Sequence, residues 1–129
     1  MVILDTNILI DHFRMSDREA TSHFETLTKI ISPSELAISL ITVQELFTGK
    51  GMSNPKNFNR IQQLLQKVTL LPYSLKVALL AGEISREHTA DMEFADAATV
   101  STCLINDVEL CTLNKKHFKG VKRIKLLDF

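Results

Sequence analysis

The sequence, which has 129 residues, is short of the residue types that most often reveal a function directly. It contains no tryptophan and a single tyrosine, so few side chains are available to stack on a flat ligand. Its two cysteines, Cys103 and Cys111, match no zinc-binding or redox spacing. Because both lie among apolar residues, we expect buried, reduced thiols and a cytoplasmic location.

Long apolar runs and glycine-rich loops are also missing. No run approaches the roughly 18 apolar residues that a membrane-spanning helix needs. Asp5 interrupts the first apolar segment, so we expect no signal peptide either. The chain has four glycines, and Gly49 and Gly51 follow a predicted helix rather than a strand. This arrangement is not a phosphate-binding loop, which argues against a nucleotide-binding enzyme.

Neither sign of charge is in excess, because 15 basic and 15 acidic residues give a formal net charge of zero. A protein that holds nucleic acid by bulk charge alone is therefore disfavoured. The exception is local, since positions 115 to 125 carry basic residues and no acid: Lys115, Lys116, Lys119, Lys122, Arg123 and Lys125. This run is either a solvated surface or a patch that faces a substrate.

Short apolar segments alternate with segments of helical periodicity. We predict strands at 2–4, 36–40, 69–71, 110–113 and 124–127, and helices at 5–13, 20–31, 42–50, 58–68, 74–88 and 94–105. Strands separated by helices favour a parallel sheet covered on both faces. We therefore expect one α/β domain, residues 1–129, with three layers around a mostly parallel sheet of about five short strands.

Asp5 and Glu45 each follow a predicted strand, and each allows two interpretations. Asp5 stands directly after the first strand, where aspartate is a common N-cap of the next helix. Glu45 ends a Thr-x-x-Glu segment that begins at Thr42 and matches the capping-box pattern. A catalytic role would place both carboxylates at the same edge of the sheet.

Asp96 is harder to explain as a structural residue. It is the one charged residue in FADAATVSTCLI, residues 94–105, whose composition predicts a largely buried helix. An unpaired buried carboxylate is costly or becomes neutral. We therefore expect either a salt bridge to lysine or arginine or a bound cation beside it.

Asn114 follows the predicted strand 110–113, either as a turn or cap residue or as part of a site. Open parallel sheets bind ligands outside the carboxyl ends of their strands, and three acids and this amide fall near that edge. Carboxylates forced close together repel one another unless cations hold them, and all-oxygen sites suit Mg²⁺ or Mn²⁺. Phosphodiester hydrolysis is the chemistry that uses such a site.

Three blocks of the sequence, in order, resemble the motifs of PIN-domain ribonucleases. MVILDTNILID resembles their opening strand followed by Asp-Thr-Asn. AISLITVQELFTG resembles the strand and helix that carry the family's glutamate. FADAATVSTCLINDVELCTLNKKHF resembles the third block, with an acid near a helix start and a Thr-x-Asn-x-x-His-Phe segment. The blocks cover nearly the whole chain, and the size and the TLNKKHF segment are most similar to VapC-type toxins.

The resemblance implies a PIN-like fold in which Asp5, Glu45 and Asp96 are catalytic and hold Mg²⁺ or Mn²⁺. Asn114 falls where many members of the family have a fourth acid, so the resemblance implies that it too is a catalytic residue. An amide there removes a charge, so the resemblance implies one firmly held ion and a weaker or substrate-dependent second ion.

Other residues near these motifs are expected to act indirectly. Thr6 matches a position that supports the first acid, and Thr112 is a further supporting residue. Asp91 and Glu93 are interpreted as the entry to the Asp96 helix, although one of them could assist. His117 is interpreted as part of the closing turn rather than as a general base.

The implied function is that of a metal-dependent endoribonuclease, the toxin of a toxin–antitoxin pair. The implied partners are an RNA substrate, which Lys115 and Lys116 could contact, a cognate antitoxin and a second copy of the chain. Two alternatives remain open. A phosphatase or receiver domain also clusters acids at strand ends, but no aspartate ends the strand at Leu40. A PIN-like module that has lost activity and only binds RNA or protein would be consistent with Asn114.

Overall fold

The computed structural model describes residues 1–88 and 92–129, so Asp91 lies outside the described residues. Strands and helices alternate along the chain as the periodicity predicts. They are β1 (Val2–Leu4), α1 (Thr6–Asp17), α2 (His23–Thr28), β2 (Leu36–Ser39), α3 (Leu40–Thr48), α4 (Pro55–Leu65), β3 (Thr69–Leu71), α5 (Leu75–Glu87), α6 (Phe94–Asn106) and β4 (Glu109–Cys111). Short 3-10 helices occupy Pro33–Glu35, Lys50–Ser53 and Lys115–His117.

The four strands form one parallel sheet in the order β3-β2-β1-β4. Successive side chains of a strand point to opposite faces, so each strand contributes to two separate cores. Val2 and Leu4 pack with α1, α2 and α4 on one face, whereas Ile3 packs with α5 and α6 on the other. The predicted three-layer α/β/α architecture is thus confirmed.

The path of the chain places a crevice at the end of β1. From β1 the chain moves to β2 and then β3 on one side, and returns to add β4 on the other side of β1. The strand order therefore reverses at β1, and the segments that follow β1 and β4 diverge there. Asp5 is the first residue beyond β1, and its N–H donates to the Cys111 carbonyl at 2.9 Å.

The predicted fifth strand, 124–127, is wrong in extent. Only Leu126 pairs, as an isolated parallel bridge to Leu110, through hydrogen bonds at Lys125 and Leu127. β4 is three residues long, and Arg123 just before the bridge adopts a left-handed backbone (φ 70°) that no strand contains. The ladder at this edge is therefore limited to one residue pair.

The boundaries of the first two helices also differ from the prediction. α1 continues to Asp17 instead of ending at residue 13, and the predicted helix 20–31 is reduced to α2. Glu19 adopts a left-handed backbone (φ 53°) that reverses the chain, and the Ser22 hydroxyl caps α2 by accepting from the Glu25 N–H. Ala20 therefore lies outside the helix and is exposed.

The start of α3 matters for the site, and the sequence places it two residues too late. Ser39 is the N-cap, and its hydroxyl accepts from the Ile41 N–H at 3.3 Å. Thr42 is thus already inside the helix, so the predicted capping box of Thr42 and Glu45 is wrong. Glu45 lies in the second turn, where its side chain is free to reach toward β1.

Two expectations from the missing residue types can be checked on the described residues. No helix among them is long and apolar enough to cross a membrane. Both cysteines are buried free thiols on opposite faces of the sheet. Burial raises the pKa of each to about 12, so neither is a reactive thiolate at neutral pH.

Candidate metal-dependent active site

Asp5 combines the two roles that the sequence left open. It caps α1, since its Oδ1 accepts from the Thr6 N–H at 2.8 Å, and it lies at the crevice between β1 and β4. Its side chain is nearly buried, with the residue 7% exposed. Capping therefore does not exclude catalysis here, because the second oxygen points toward β4.

Thr112 supports that second oxygen. Its hydroxyl donates to Asp5 Oδ2 at 2.7 Å and accepts from the Asn7 side chain at 3.2 Å and from the Asn114 N–H at 3.1 Å. With both lone pairs occupied, the single hydroxyl proton is committed to Asp5. The Asn7 carbonyl oxygen in turn accepts from the Leu113 N–H at 3.2 Å, which fixes the loop after β4.

Glu45 reaches the same crevice from α3. Its Oε1 accepts from the Thr6 hydroxyl at 2.7 Å. Thr6 thus supports two acids: its backbone N–H contacts Asp5, as expected for a residue supporting the first acid, and its hydroxyl contacts Glu45. One residue at the start of α1 therefore sets the positions of both carboxylates.

Asp96 lies in the first turn of α6 and is half-buried. Its Oδ2 accepts from the Glu93 N–H at 3.3 Å, which makes Glu93 the N-cap in a capping box. Among the described residues no lysine or arginine pairs with Asp96; the His117 ring lies beside it instead, with Nδ1 at 3.8 Å from Oδ2. The expected salt bridge to lysine or arginine is therefore wrong.

Asn114 and His117 close the crevice from the β4 side. Asn114 is the backbone N-cap of the 3-10 helix Lys115–His117, as its turn interpretation predicted, and its amide nitrogen lies 3.0 Å from His117 Nδ1. The closing-turn interpretation of His117 is correct for the backbone, but it missed that the ring faces Asp96. No pattern in the sequence indicates this contact, because Asp96 and His117 are brought together by the fold.

The electrostatics of the three acids show that they share one environment. Burial raises the pKa of Asp5, although the hydrogen bonds from Thr112 and Thr6 oppose this rise. Burial raises the pKa of Glu45, and the charges of Asp5 and Asp96 add to the effect. Burial also raises the pKa of Asp96, with a further contribution from Asp5. Burial is thus the largest cause in all three, and the charge of Asp5 reaches both Glu45 and Asp96.

The chemistry of the donor set suits a hard divalent cation. All three acids offer carboxylate oxygens, which Mg²⁺ and Mn²⁺ prefer, and a cation would relieve the repulsion among them. In residues 1–88 and 92–129, however, no group of three or more His, Cys, Asp or Glu side chains is close enough to form a ready-made metal site. The hydroxyls of Thr6 and Thr112 occupy one oxygen of Glu45 and one of Asp5.

The basic run divides between two surfaces. Lys115, Lys116 and Lys119 line an open groove of about 630 Å³ that adjoins Thr112 and Asn114. Lys122 and Arg123 line a separate cavity between α5, α6 and the C-terminal loop. Only the first half of the run therefore lies near Thr112 and Asn114, and its contact with a substrate stays a prediction.

Comparisons with known proteins agree with this geometry. The family model for the PIN domain matches residues 2–124. A curated protein of Mycobacterium tuberculosis H37Rv, Ribonuclease VapC10, is 24% identical over 128 residues, which cover 97% of this chain and 91% of that protein. In a DNA-bound VapBC complex from Salmonella typhimurium, one chain has a TM-score of 0.81 and 22% identity, covering 98% of this chain and 96% of that one.

A toxin–antitoxin complex from Klebsiella pneumoniae contains another similar chain. It has 26% identity and a TM-score of 0.75, and the match covers 96% of this chain and 95% of that chain. The matches cover nearly the whole of this chain in both solved structures, so the fold is common to them.

Replacing Thr112 by valine is expected to destabilise the protein by about 2 kcal/mol. Valine fills the same buried space but leaves Asp5 without its donor and the Asn7 amide without its acceptor. The loss should appear as a lower free energy of unfolding in urea. Thr112→Ser, which keeps the hydroxyl, is the control and should lose less than half as much stability as the valine variant. Equal stability of the valine variant and the wild type would contradict the role of this hydroxyl.

Replacing Asp96 by asparagine is expected to stabilise the protein in EDTA at pH 7. Since the pKa values of the three acids are raised, the folded state holds more protons than the unfolded state at pH values just above the ordinary pKa values of 3.8 and 4.5. The stability of the wild type therefore falls as the pH rises from the ordinary pKa values through the raised ones. Asparagine removes one charge and keeps an oxygen for the Glu93 N–H. The gain should be on the order of 0.5 kcal/mol, because solvent screens a half-buried group.

The pH dependence of the stability gain distinguishes relief of charge repulsion from other causes. Below about pH 3.8 the wild-type carboxyl group is itself neutral, so the gain should vanish. Urea unfolding at several pH values measures it, with Glu83→Gln, an exposed acid on α5, as the control. A gain of the same size at all pH values would exclude relief of charge repulsion.

Proposed function

The chain belongs to the PIN domain family, and on that premise we propose that it is an endoribonuclease that hydrolyses RNA with Mg²⁺ or Mn²⁺. The observation that carries the proposal is the meeting of Asp5, Glu45 and Asp96 at the crevice of a parallel sheet, with the pKa of each raised. Structural carboxylates are normally paired with cations, whereas these repel one another. Such a cluster is costly unless a ligand compensates it.

Asp5, Asp96 and Glu45 would hold the ion. When bound, a divalent cation lowers the pKa of water and stabilises the charge that develops on a phosphodiester. The chain's own residues set the frame: Thr112 orients Asp5, Thr6 orients Glu45, and the Glu93 N–H orients Asp96. Asn114 offers an amide where many family members have an acid, so we propose one firmly held ion and a weaker second ion.

A second candidate is a PIN-like module that binds RNA or protein without cutting. Two observations favour it: the amide of Asn114 and the lack, among the described residues, of a ready-made group of three metal ligands. The intact trio of acids favours the nuclease, because a module that only binds has no use for uncompensated carboxylates beside its ligand.

Cleavage of a mixed RNA pool tests the nuclease. The purified chain should cut with Mg²⁺ or Mn²⁺ and not with EDTA, and Asp5→Asn, Glu45→Gln and Asp96→Asn should each lower the rate at least about 100-fold, because even changes to groups outside the ligand shell cost 10–100-fold. Glu83→Gln, the same change on an exposed acid, should cut like the wild type. Cutting in EDTA, or wild-type rates in the three variants, would refute the proposal, and a folded chain that never cuts would favour the binding module.

We further propose that the chain is the toxin of a toxin–antitoxin pair, as are members of the complexes to which it is similar. Its expression should then arrest the growth of a host cell, and co-expression of the cognate antitoxin should restore growth. Asp96→Asn should not arrest growth at a matched expression level. Equal toxicity of that variant would show that any arrest does not depend on cleavage.

We also propose that the chain forms a homodimer and acts in the cytoplasm. Leu75 and Leu79 on α5 and Phe94 on α6 are 75%, 66% and 77% exposed, and we propose that a second copy covers these apolar side chains. The buried free thiols are compatible with a reducing compartment. We also propose that residues 1–129 act as a single PIN-like domain.

A further inference from the structure

An open groove runs from the acidic crevice along the segment that follows β4. Its volume is about 630 Å³. The residues that line it are His23, Thr112, Leu113, Asn114, Lys115, Lys116, Lys119 and Phe129. Thr112 belongs to both regions, because its hydroxyl holds Asp5 at 2.7 Å. A ligand that fills the groove therefore ends beside the acids.

One wall of the groove carries uncompensated positive charge. Lys115 is paired, since its Nζ lies 2.8 Å from Asp128 Oδ1. Lys116 and Lys119 are exposed, and within the part of the chain that the structure describes they have no acidic partner. Two free ammonium groups therefore face the groove.

Two aromatic rings also line the groove. The rings of Phe129 and His23 meet edge to face, with centroids 5.8 Å apart and planes at 89°. Asp11 anchors His23, because its Oδ2 accepts from the His23 backbone N–H and lies within 3.0 Å of Nδ1. Phe129 remains 44% exposed although it touches His23, and Leu113, which also lines the groove, is 43% exposed. Apolar surface is thus left open to a ligand.

We propose that this groove binds single-stranded RNA, with phosphates on Lys116 and Lys119 and a base stacked on Phe129. The inference rests on the proposed nuclease function and assigns its substrate-binding surface. Cations that track a backbone, opposite a ring that stacks on a base, are the combination that single-stranded nucleic acids need. A duplex keeps its bases stacked inside the helix and cannot present one to Phe129.

Charge supports RNA over an acidic protein segment as the occupant. The groove shares Thr112 with the Asp5 carboxylate, which the Thr112 hydroxyl holds, so the lysines must draw an occupant toward negative charge. A polymer with one phosphate per residue gains from both lysines at once, and the stacking surface favours a base over an aliphatic side chain. Binding of a protein segment instead is an outcome that the experiments below can reveal.

Equilibrium binding in EDTA separates the groove from catalysis. A fluorescently labelled single-stranded decanucleotide RNA should bind Phe129→Ala about tenfold more weakly than the wild type, the range of a lost stacking contact. Phe58→Ala is the matched control, because Phe58 and Phe47 form a similar edge-to-face pair, 5.7 Å apart at 78°, and neither lines the groove. A duplex of the same sequence should bind Phe129→Ala and the wild type equally.

The lack of tryptophan provides a local probe. Phe129→Trp introduces the only indole of the chain, keeps the stacking surface and should preserve RNA affinity. Its fluorescence should be quenched on binding, whereas that of Phe58→Trp should not change. Quenching at both positions, or at neither, would contradict stacking at Phe129.

The lysines are tested by salt dependence. Lys116→Gln and Lys119→Gln should each reduce the slope of log Kd against log salt by about 0.7, as expected for one phosphate contact on a single strand. Lys76→Gln, an exposed lysine on α5 outside the groove, should leave the slope unchanged. Equal slopes in all three variants would refute the phosphate contacts.

The results distinguish failure of the groove from failure of the nuclease. Groove-dependent binding by a chain that never cuts would refute the nuclease and leave the binding surface intact. Metal-dependent cutting with unchanged affinity in Phe129→Ala, Lys116→Gln and Lys119→Gln would refute the groove alone. If Phe129→Ala bound RNA normally but lost affinity for the antitoxin, the groove would be a protein interface and the proposal would be wrong.

Discussion

The hydrogen bond from the Thr112 hydroxyl to Asp5 joins the ends of the two strands between which the chain reverses its order. β1 and β4 are neighbours in the sheet but lie more than 100 positions apart in sequence. Their parallel register brings Asp5 and Thr112 to the same edge, and the hydroxyl then offsets part of the cost of burying a carboxylate. The positions of Asn7, Asn114 and the groove all follow from this contact.

Much of this arrangement could be predicted because parallel sheets follow simple rules. Periodicity located β1 and the helices on both faces, and residues at strand ends had to meet at one edge, which singled out Asp5. The start of α3 could not be predicted, since Ser39 and Thr42 are both good caps and both are fully buried in the structure. Ser39 also contacts Thr102 on α6, a partner 63 positions away.

The partners of Asp96 show a different limit of sequence reasoning. A single charge in an apolar helix led to the expectation of a compensating lysine, arginine or cation, and no lysine or arginine of the described residues pairs with it. The His117 ring lies beside it instead, in a turn whose conformation depends on the Asn114 N–H and the Thr112 hydroxyl. Tertiary hydrogen bonds of this kind leave no periodic signal, so they are found only once the fold is known.

Charge distribution explains how a chain of zero net charge can serve an anionic polymer. Uncompensated acids and uncompensated lysines lie on either side of Thr112, so their effects cancel in the total but not along the groove. On the proposed function, RNA would be attracted by Lys116 and Lys119 and repelled by the acids until a cation neutralised them. Affinity for RNA and affinity for the ion should therefore be thermodynamically coupled, because each ligand lowers the electrostatic cost of binding the other.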